Sequence, residues 1–293
     1  MKVALTGGTG FIGSHVLGEL LEHGHEVTAL VRNEEQAAAV AARGATPAVV
    51  DLYDTPAVAR LLNDADGAVH TASPGDATSA NLDSAVVDAV TSIFAGTGKP
   101  YLQISGLWVY GTNTAITEQS GYHAPALVSW KEAIERRVFG ARDMRGVVIV
   151  SSVAYGDGGG GIPGVLLGSP RDDAGNLIML GTGQQHWCEV HVADLADFFR
   201  RVLEDDAARG RYVIGNGTDP TAAELTEAAA VAVGAPGAVP GSEDEARARL
   251  GDYFAEVLLL DQGADAARAR TKLGWHPSRP SLAEEFRHGS YRK

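Results

Sequence analysis

Cysteine is all but missing: Cys188 is the only one in 293 residues, so no internal disulfide can staple the chain and stability must come from a core. Aromatic residues are few, at 6%, and no window approaches the ~20 uninterrupted apolar residues that a membrane-spanning helix requires. Positive charge is in deficit. Twenty-four Lys and Arg against 37 Asp and Glu leave a net charge of −13, and no basic run is long enough to follow a phosphate backbone, which argues against nucleic acid as a partner. The N-terminus reads MKVALTGG, without the apolar stretch and cleavage site of a secretory signal, and together with the lone thiol this leads to the expectation of a cytoplasmic protein with neither membrane nor nucleic-acid partners. What is present is ordinary for a folded domain: 45% hydrophobic and 21% charged residues, with 36 glycines scattered without a period.

The first half alternates short Val/Ala/Leu runs with longer segments whose apolar residues recur every three or four positions. Strands are expected at Val3–Thr6, Glu26–Val31, Ala48–Val50, Gly67–Thr71, Tyr101–Ser105 and Gly146–Ser151. Helices are expected at 12–22, 34–41, 56–62, 82–94 and 129–142. This βαβ rhythm predicts an α/β fold with a doubly wound parallel sheet covered on both faces. After Gly156 come a glycine run at Gly158–Gly161 and the breakers Pro163 and Pro170, followed by alanine-rich helical patterns at 222–232 and 243–250. The organisation read from this is a dinucleotide-binding domain over 1–156 and a smaller C-terminal substrate-binding region over 157–293, with a segment near 185–215 returning to the sheet.

The turn Thr6-Gly7-Gly8-Thr9-Gly10-Phe11-Ile12-Gly13 follows the first strand and opens the first helix, the context in which a glycine pattern reads as a dinucleotide fingerprint. Gly7 allows the tight turn, Gly10 lets the backbone approach a pyrophosphate, and Gly13 allows close packing of helix on strand, while the helix N-terminus offers unpaired N–H groups. About twenty residues on, where a carboxylate would bind the ribose hydroxyls of NAD, the chain reads Val31-Arg32-Asn33. Arg32 can fork onto a 2′-phosphate and Asn33 can add a hydrogen bond, so NADP(H) is expected over NAD(H).

These motifs resemble the extended short-chain dehydrogenase/reductase family, the group of NAD(P)-dependent epimerases, dehydratases and related reductases. The likeness continues through Asp51-Leu52, His70-Thr71-Ala72-Ser73, Val109-Tyr110-Gly111, Tyr155-Gly156, Val190-His191-Val192-Ala193-Asp194-Leu195-Ala196 and Lys272-Leu273-Gly274-Trp275 with Pro277. It implies a Rossmann-type sheet and cofactor contacts from Gly7, Thr9, Gly10, Phe11, Ile12, Gly13, Arg32, Asp51, Leu52, Thr71, Ala72, Ser73 and Lys131. It also implies a homodimer or monomer, with the helices at 82–94 and 129–142 as the contact surface. Relatives use a Ser/Thr, a Tyr and a Lys four residues later. Here Lys131 matches the lysine, but Leu127 stands where the tyrosine belongs. Ser105 ends the fifth strand, one residue from the usual serine position, so it is the first choice for the substrate-oxygen contact, with Tyr122 and His186 as proton-donor candidates. In the segment where sugar-nucleotide enzymes carry an Arg for the diphosphate, this chain has His186-Trp187-Cys188, and Ser151-Ser152 replaces a common Arg-Pro. These replacements favour a small, less charged carbonyl or alcohol substrate and an NADP-dependent oxidoreductase. A non-redox dinucleotide-binding regulator and an epimerase or dehydratase that retains its cofactor are the alternatives. No catalytic metal is expected, since His191 and Asp194 alone do not make a metal site.

Overall fold

Lys2–Thr6 (β1) is buried at four of its five residues and pairs in parallel with Glu26–Val31 (β2) on one side and Gly67–His70 (β4) on the other. In this computed structural model, which describes residues 1–292, β2 continues to Thr46–Val49 (β3) and β4 to Pro100–Gly106 (β5). The strands Arg145–Ser151 and Gly210–Ile214 complete a seven-stranded sheet, ordered Gly210–Ile214, Arg145–Ser151, β5, β4, β1, β2, β3. The order reverses between β1 and β4. That is the switch point at which a doubly wound sheet opens a crevice beyond its carboxyl ends.

The first five strands alternate with Phe11–Glu22 (α1), Glu34–Ala41 (α2), Thr55–Leu62 (α3) and Ser79–Phe94 (α4), and Lys131–Gly140 (α5) follows later. Local chemistry sets their starts. Asn33 Oδ1 accepts from the Gln36 N–H to cap α2, and Asp54 Oδ1 accepts from the Ala57 N–H to cap α3, with Pro56 in the first turn, where its missing N–H is no loss. β3 begins two residues before the expected Ala48 and runs through Pro47, which its position at the sheet edge tolerates. The Gly210–Ile214 strand is a seventh where the periodicity showed six, in the neighbourhood expected to return to the sheet.

The chain forms two compact units, and the division is not a single cut at 156. One unit comprises Met1–Ser105, Trp130–Ile149 and Leu195–Tyr212; the other comprises Gly106–Ser129, Val150–Asp194 and the chain from Val213 onward. The second unit holds three short parallel pairings: Val153–Tyr155 with Glu189–His191, Leu177–Ile178 with Ala238–Val239, and Asn113–Ile116 with Gln262–Ala264. Its core gathers Tyr155, Leu166, Trp187, Leu225, Leu258, Leu282 and Phe286 around the helices Ala222–Ala232 and Leu282–His288, which pack on each other. Among the described residues, no helix is long and apolar enough to cross a membrane.

Candidate functional site: a dinucleotide cleft at the sheet switch point

The turn after β1 is built around two glycines that nothing larger can replace. Gly7 has φ +78°, and a Cβ there would lie 2.6 Å from the Ala72 nitrogen. A Cβ on Gly13 would come within 2.1 Å of the Gly7 carbonyl oxygen and 2.5 Å of Thr71 Oγ1. These contacts are backbone and tightly held side chain, so neither can yield. The Gly10 N–H donates to the Gly7 carbonyl at 2.8 Å, closing the turn, and Gly10 caps α1 with no side-chain bond and no acidic residue in the first turn. The first N–H groups of a twelve-residue helix therefore face the cleft unneutralised, a site made for anionic oxygen. Thr71 Oγ1 donates to the Thr6 carbonyl at 2.8 Å and ties the ends of β4 and β1 together beneath the turn.

The cleft has a volume of 620 Å³ and is lined by Gly7, Thr9, Gly10, Phe11, Ile12, Gly13, Leu30, Arg32, Gln36, Asp51, Leu52, Tyr53, Thr71, Ala72, Ser73, Pro74, Asp76, Thr78 and Leu82. Every cofactor residue expected from the sequence is on this wall except Asn33 and Lys131. Arg32 is the one cation of the lining, exposed, and its guanidinium has no carboxylate partner among the described residues. The Arg32 N–H donates to Gln36 Oε1 at 3.1 Å, fixing the backbone that carries the guanidinium. Asn33, expected beside it, has its side-chain oxygen committed to the α2 cap. Asp51, also in the lining, is exposed, and its Oδ1 accepts from the Tyr53 N–H at 3.0 Å.

Sequence reasoning passed over Tyr53, Asp76 and Thr78. The Tyr53 hydroxyl donates to the Thr78 carbonyl at 3.4 Å, linking the loop after β3 to the loop that enters α4. Asp76 is held by the Thr78 hydroxyl and N–H, which lower its carboxyl pKa. Because these are loop residues, no hydrophobic period marks them; the cluster Ser73-Pro74-Gly75-Asp76 before a helix was the available signal.

Lys131 belongs to a different feature of the same unit. Its Nζ donates to Asp83 Oδ2 at 3.2 Å and lies 4.3 Å from the centre of the Trp130 ring. Asp83 also accepts from His70 Nε2 on Oδ1 at 3.0 Å and from Gln103 Nε2 on Oδ2 at 3.0 Å. A carboxylate can only accept, so His70 Nε2 is the donor to it, and His70 Nδ1 lies 2.6 Å from Thr6 Oγ1. The Tyr101 hydroxyl donates to Gln103 Oε1. Burial alone would raise the Asp83 pKa, but the His70 hydrogen bond and the Lys131 charge outweigh it and hold the carboxyl below its ordinary range. Ser105, two residues beyond Gln103 on the same face of β5, is 6% exposed, and its Oγ is buried without a hydrogen-bond partner.

The remaining candidates lie in the second unit. Tyr122 stacks on the buried Tyr110 with ring centres 5.8 Å apart. His186 bonds Asp261 Oδ1 through both its backbone N–H at 2.8 Å and Nδ1 at 2.9 Å, and its side chain is half-exposed. Trp187 and Cys188 point into the core: the indole donates to the Leu258 carbonyl at 3.1 Å, and burial pushes the thiol pKa up, which makes Cys188 a packing residue. Tyr155 donates to the Pro280 carbonyl at 2.8 Å, and burial raises its pKa out of reach of acid–base work. Asp194 accepts the Ser278 and Arg279 N–H groups and so anchors the Trp275–Pro277 ending, a structural task.

A family model for NAD(P)H-binding proteins matches residues 7–137, the stretch that builds the turn, the cleft and Lys131. The human epimerase family protein SDR39U1, solved with NADPH, superposes with a TM-score of 0.76 at 24% identity over 99% of both chains. The chain shares the fold of the NAD-dependent epimerase and dehydratase structures and resembles the extended short-chain dehydrogenase/reductase family. Among curated relatives, an uncharacterized protein of Schizosaccharomyces pombe is 27% identical over 99% of this chain and 100% of its own length. A 3-diazoavenalumate denitrifying reductase of a Streptomyces species is 28% identical over 96% of this chain and 97% of its own. The matched family model is one of NAD(P)H binding, and the glycine cradle fits such a dinucleotide: the space a Cβ would fill at Gly10, bounded only by the Gly7 oxygen at 3.3 Å, opens onto the bare helix end.

Proposed function

We propose that the protein is an NADP-dependent oxidoreductase acting on a small carbonyl or alcohol. The observation that carries this reading is Arg32, an unpaired guanidinium alone among the cations of the cleft, at the place where a carboxylate would select NAD. In support, a full-length relative is named a reductase, and a neighbour of the same fold was solved with NADPH. The stretch His186-Trp187-Cys188 offers one half-exposed imidazole and two core side chains, which suits a substrate without a diphosphate.

The turn from Gly7 to Gly13 would hold the pyrophosphate against the α1 N-terminus, Arg32 the 2′-phosphate, Asp51 and Tyr53 the adenine side, and Lys131 the nicotinamide ribose. When bound, the reduced nicotinamide supplies hydride to a carbonyl carbon. Ser105 Oγ, buried and lacking a partner of its own, would donate a hydrogen bond to the carbonyl oxygen. The proton falls to Tyr122 or His186. General-acid catalysis is worth roughly 10²–10⁴-fold, so replacing the true donor (Tyr122→Phe or His186→Ala) lowers turnover by that order and leaves NADPH affinity within about threefold.

Absorbance at 340 nm with NADPH and a panel of aldehydes, ketones and quinones tests the function. Consumption that depends on a carbonyl compound is the expected result. Tight NADPH binding with no turnover on any compound would overturn it in favour of a cofactor-responsive regulator. Arg32→Ala is expected to weaken NADPH by about tenfold or more, the loss of one charge-assisted fork, while NADH changes less than threefold. Equal losses for the two cofactors in parallel titrations would remove the assignment of Arg32.

A further inference from the structure

We infer that Asp83, backed by His70, is a positioning residue that anchors the Lys131 ammonium in a protein whose family tyrosine has been replaced by Leu127; the role given to Lys131 rests on the function proposed above. The cluster is unusual for where it sits. Asp83 is 2% exposed and His70 1% exposed, inside a unit whose surrounding α4 positions are Leu82, Val86, Val87 and Val90. A buried acid without compensation would be strongly unfavourable. Here both carboxylate oxygens are used, Oδ1 by His70 and Oδ2 by Lys131 and Gln103, and the chain of bonds continues to Thr6 at the end of β1, the strand that launches the glycine turn. Three strands and two helices thus meet in one polar network. Lys131 is its only partly exposed charge, at 19%, and therefore the point at which the network meets a ligand.

The direction of the bonds defines the task. Gln103 and His70 both donate to Asp83, so the carboxylate cannot turn away from Lys131 without leaving a buried donor unpaired. Trp130 covers the ammonium from another side, with its ring face 4.3 Å away. With a leucine at 127, no phenol four residues back can hydrogen-bond the lysine. The carboxylate of α4 holds it instead, through the Nζ–Oδ2 contact at 3.2 Å.

The test is amine-selective acetylation of the intact protein, read residue by residue by mass spectrometry, alongside NADPH titration. In the wild type, Lys131 should be acetylated at least fivefold more slowly than the exposed Lys272. That rate should hold between 0.1 and 1 M NaCl, because a buried pair is screened little. Convergence of the two rates at high salt would overturn the anchoring without any variant having to fold. Asp83→Asn keeps the shape and removes the charge. It should raise Lys131 acetylation at least fivefold and weaken NADPH about tenfold, and the double variant with Lys131→Ala should lose no more than Lys131→Ala alone. Unchanged acetylation in Asp83→Asn, or losses that multiply in the double variant, would refute the positioning role. If the wild type does not bind NADPH at all, the functional reading fails on its own, and the acetylation rates still decide whether Asp83 anchors Lys131.

Discussion

Gly13→Ala is expected to weaken NADPH binding at least a hundredfold and to lower the unfolding midpoint, the largest effect of any single methyl group in the cleft. The added carbon would sit 2.1 Å from the Gly7 oxygen, 2.5 Å from Thr71 Oγ1 and 2.6 Å from the Gly7 carbonyl carbon, so α1 must move away from the turn that it closes. Overpacking of this kind costs about 1–3 kcal/mol in folding, and a displaced helix end also takes its N–H groups away from the pyrophosphate position. A hundredfold loss corresponds to about 3 kcal/mol. The control lies five residues further along the same helix. A Cβ at Gly18 meets only the tip of the Arg43 side chain, at 3.0 Å, which can swing aside. Gly18→Ala should therefore leave NADPH affinity within about twofold and raise stability by roughly 0.5–1 kcal/mol through helix propensity. Fluorescence titration and thermal unfolding of the two variants side by side check both. Wild-type affinity in Gly13→Ala would mean that the turn does not hold the cofactor.

The second large effect concerns Glu189, a carboxyl 1% exposed whose Oε1 accepts from Asn216 Nδ2 at 2.9 Å and the Leu282 N–H at 3.2 Å, and whose Oε2 is buried without a partner. Burial, opposed by these hydrogen bonds, pushes its pKa from 4.5 up to about 7. The folded protein thus keeps a proton that the unfolded chain releases, so its contribution is fully present below pH 4.5 and is lost as pH rises through about 7. Integrated over that window, the loss is about 3 kcal/mol. The wild type should unfold several degrees lower at pH 8 than at pH 5.5. Glu189→Gln, which cannot ionise, should abolish most of that difference and be the more stable of the two at pH 8. Asp83 works in the opposite sense, since its lowered pKa makes stability fall in acid, and the comparison of the two proteins at each pH isolates Glu189 from it. Parallel stability–pH curves for wild type and Gln variant would show that folding does not raise the Glu189 pKa.

How much of this could be read in the sequence depends on whether a feature has a period or a strict stereochemical demand. The turn from Gly7 to Gly13 was legible because positive φ and near-zero clearance admit only glycine. The helices Ala222–Ala232 and Glu243–Leu250 matched their expected limits because Thr221 with Glu224 and Ser242 with Glu245 form reciprocal caps that stop the chain at a defined residue. The Gly210–Ile214 strand was missed because it opens on Gly210-Arg211 and leaves only Tyr212-Val213-Ile214 as an apolar run. The interleaved units escaped a single cut because the chain crosses between them at strand ends, Ser105 and Ile149 among them, with no linker composition to mark the passage. Asp83 carried a signal that was overlooked. It lies three, four and seven residues before Val86, Val87 and Val90, so an acid stood in the apolar stripe of α4, and a buried acid requires partners. That its partners would be His70 and Lys131, 13 and 48 residues away, follows from sheet order and helix packing and has no local mark.

Under the proposed function, the cleft at the switch point holds NADP(H) and Arg32 reads the 2′-phosphate. Isothermal titration of the wild-type protein with NADPH and with NADH in one buffer tests it most directly. One NADPH per chain, bound at least tenfold more tightly than NADH, is the result expected. No heat from either cofactor, or NADH bound as tightly as NADPH, would contradict it.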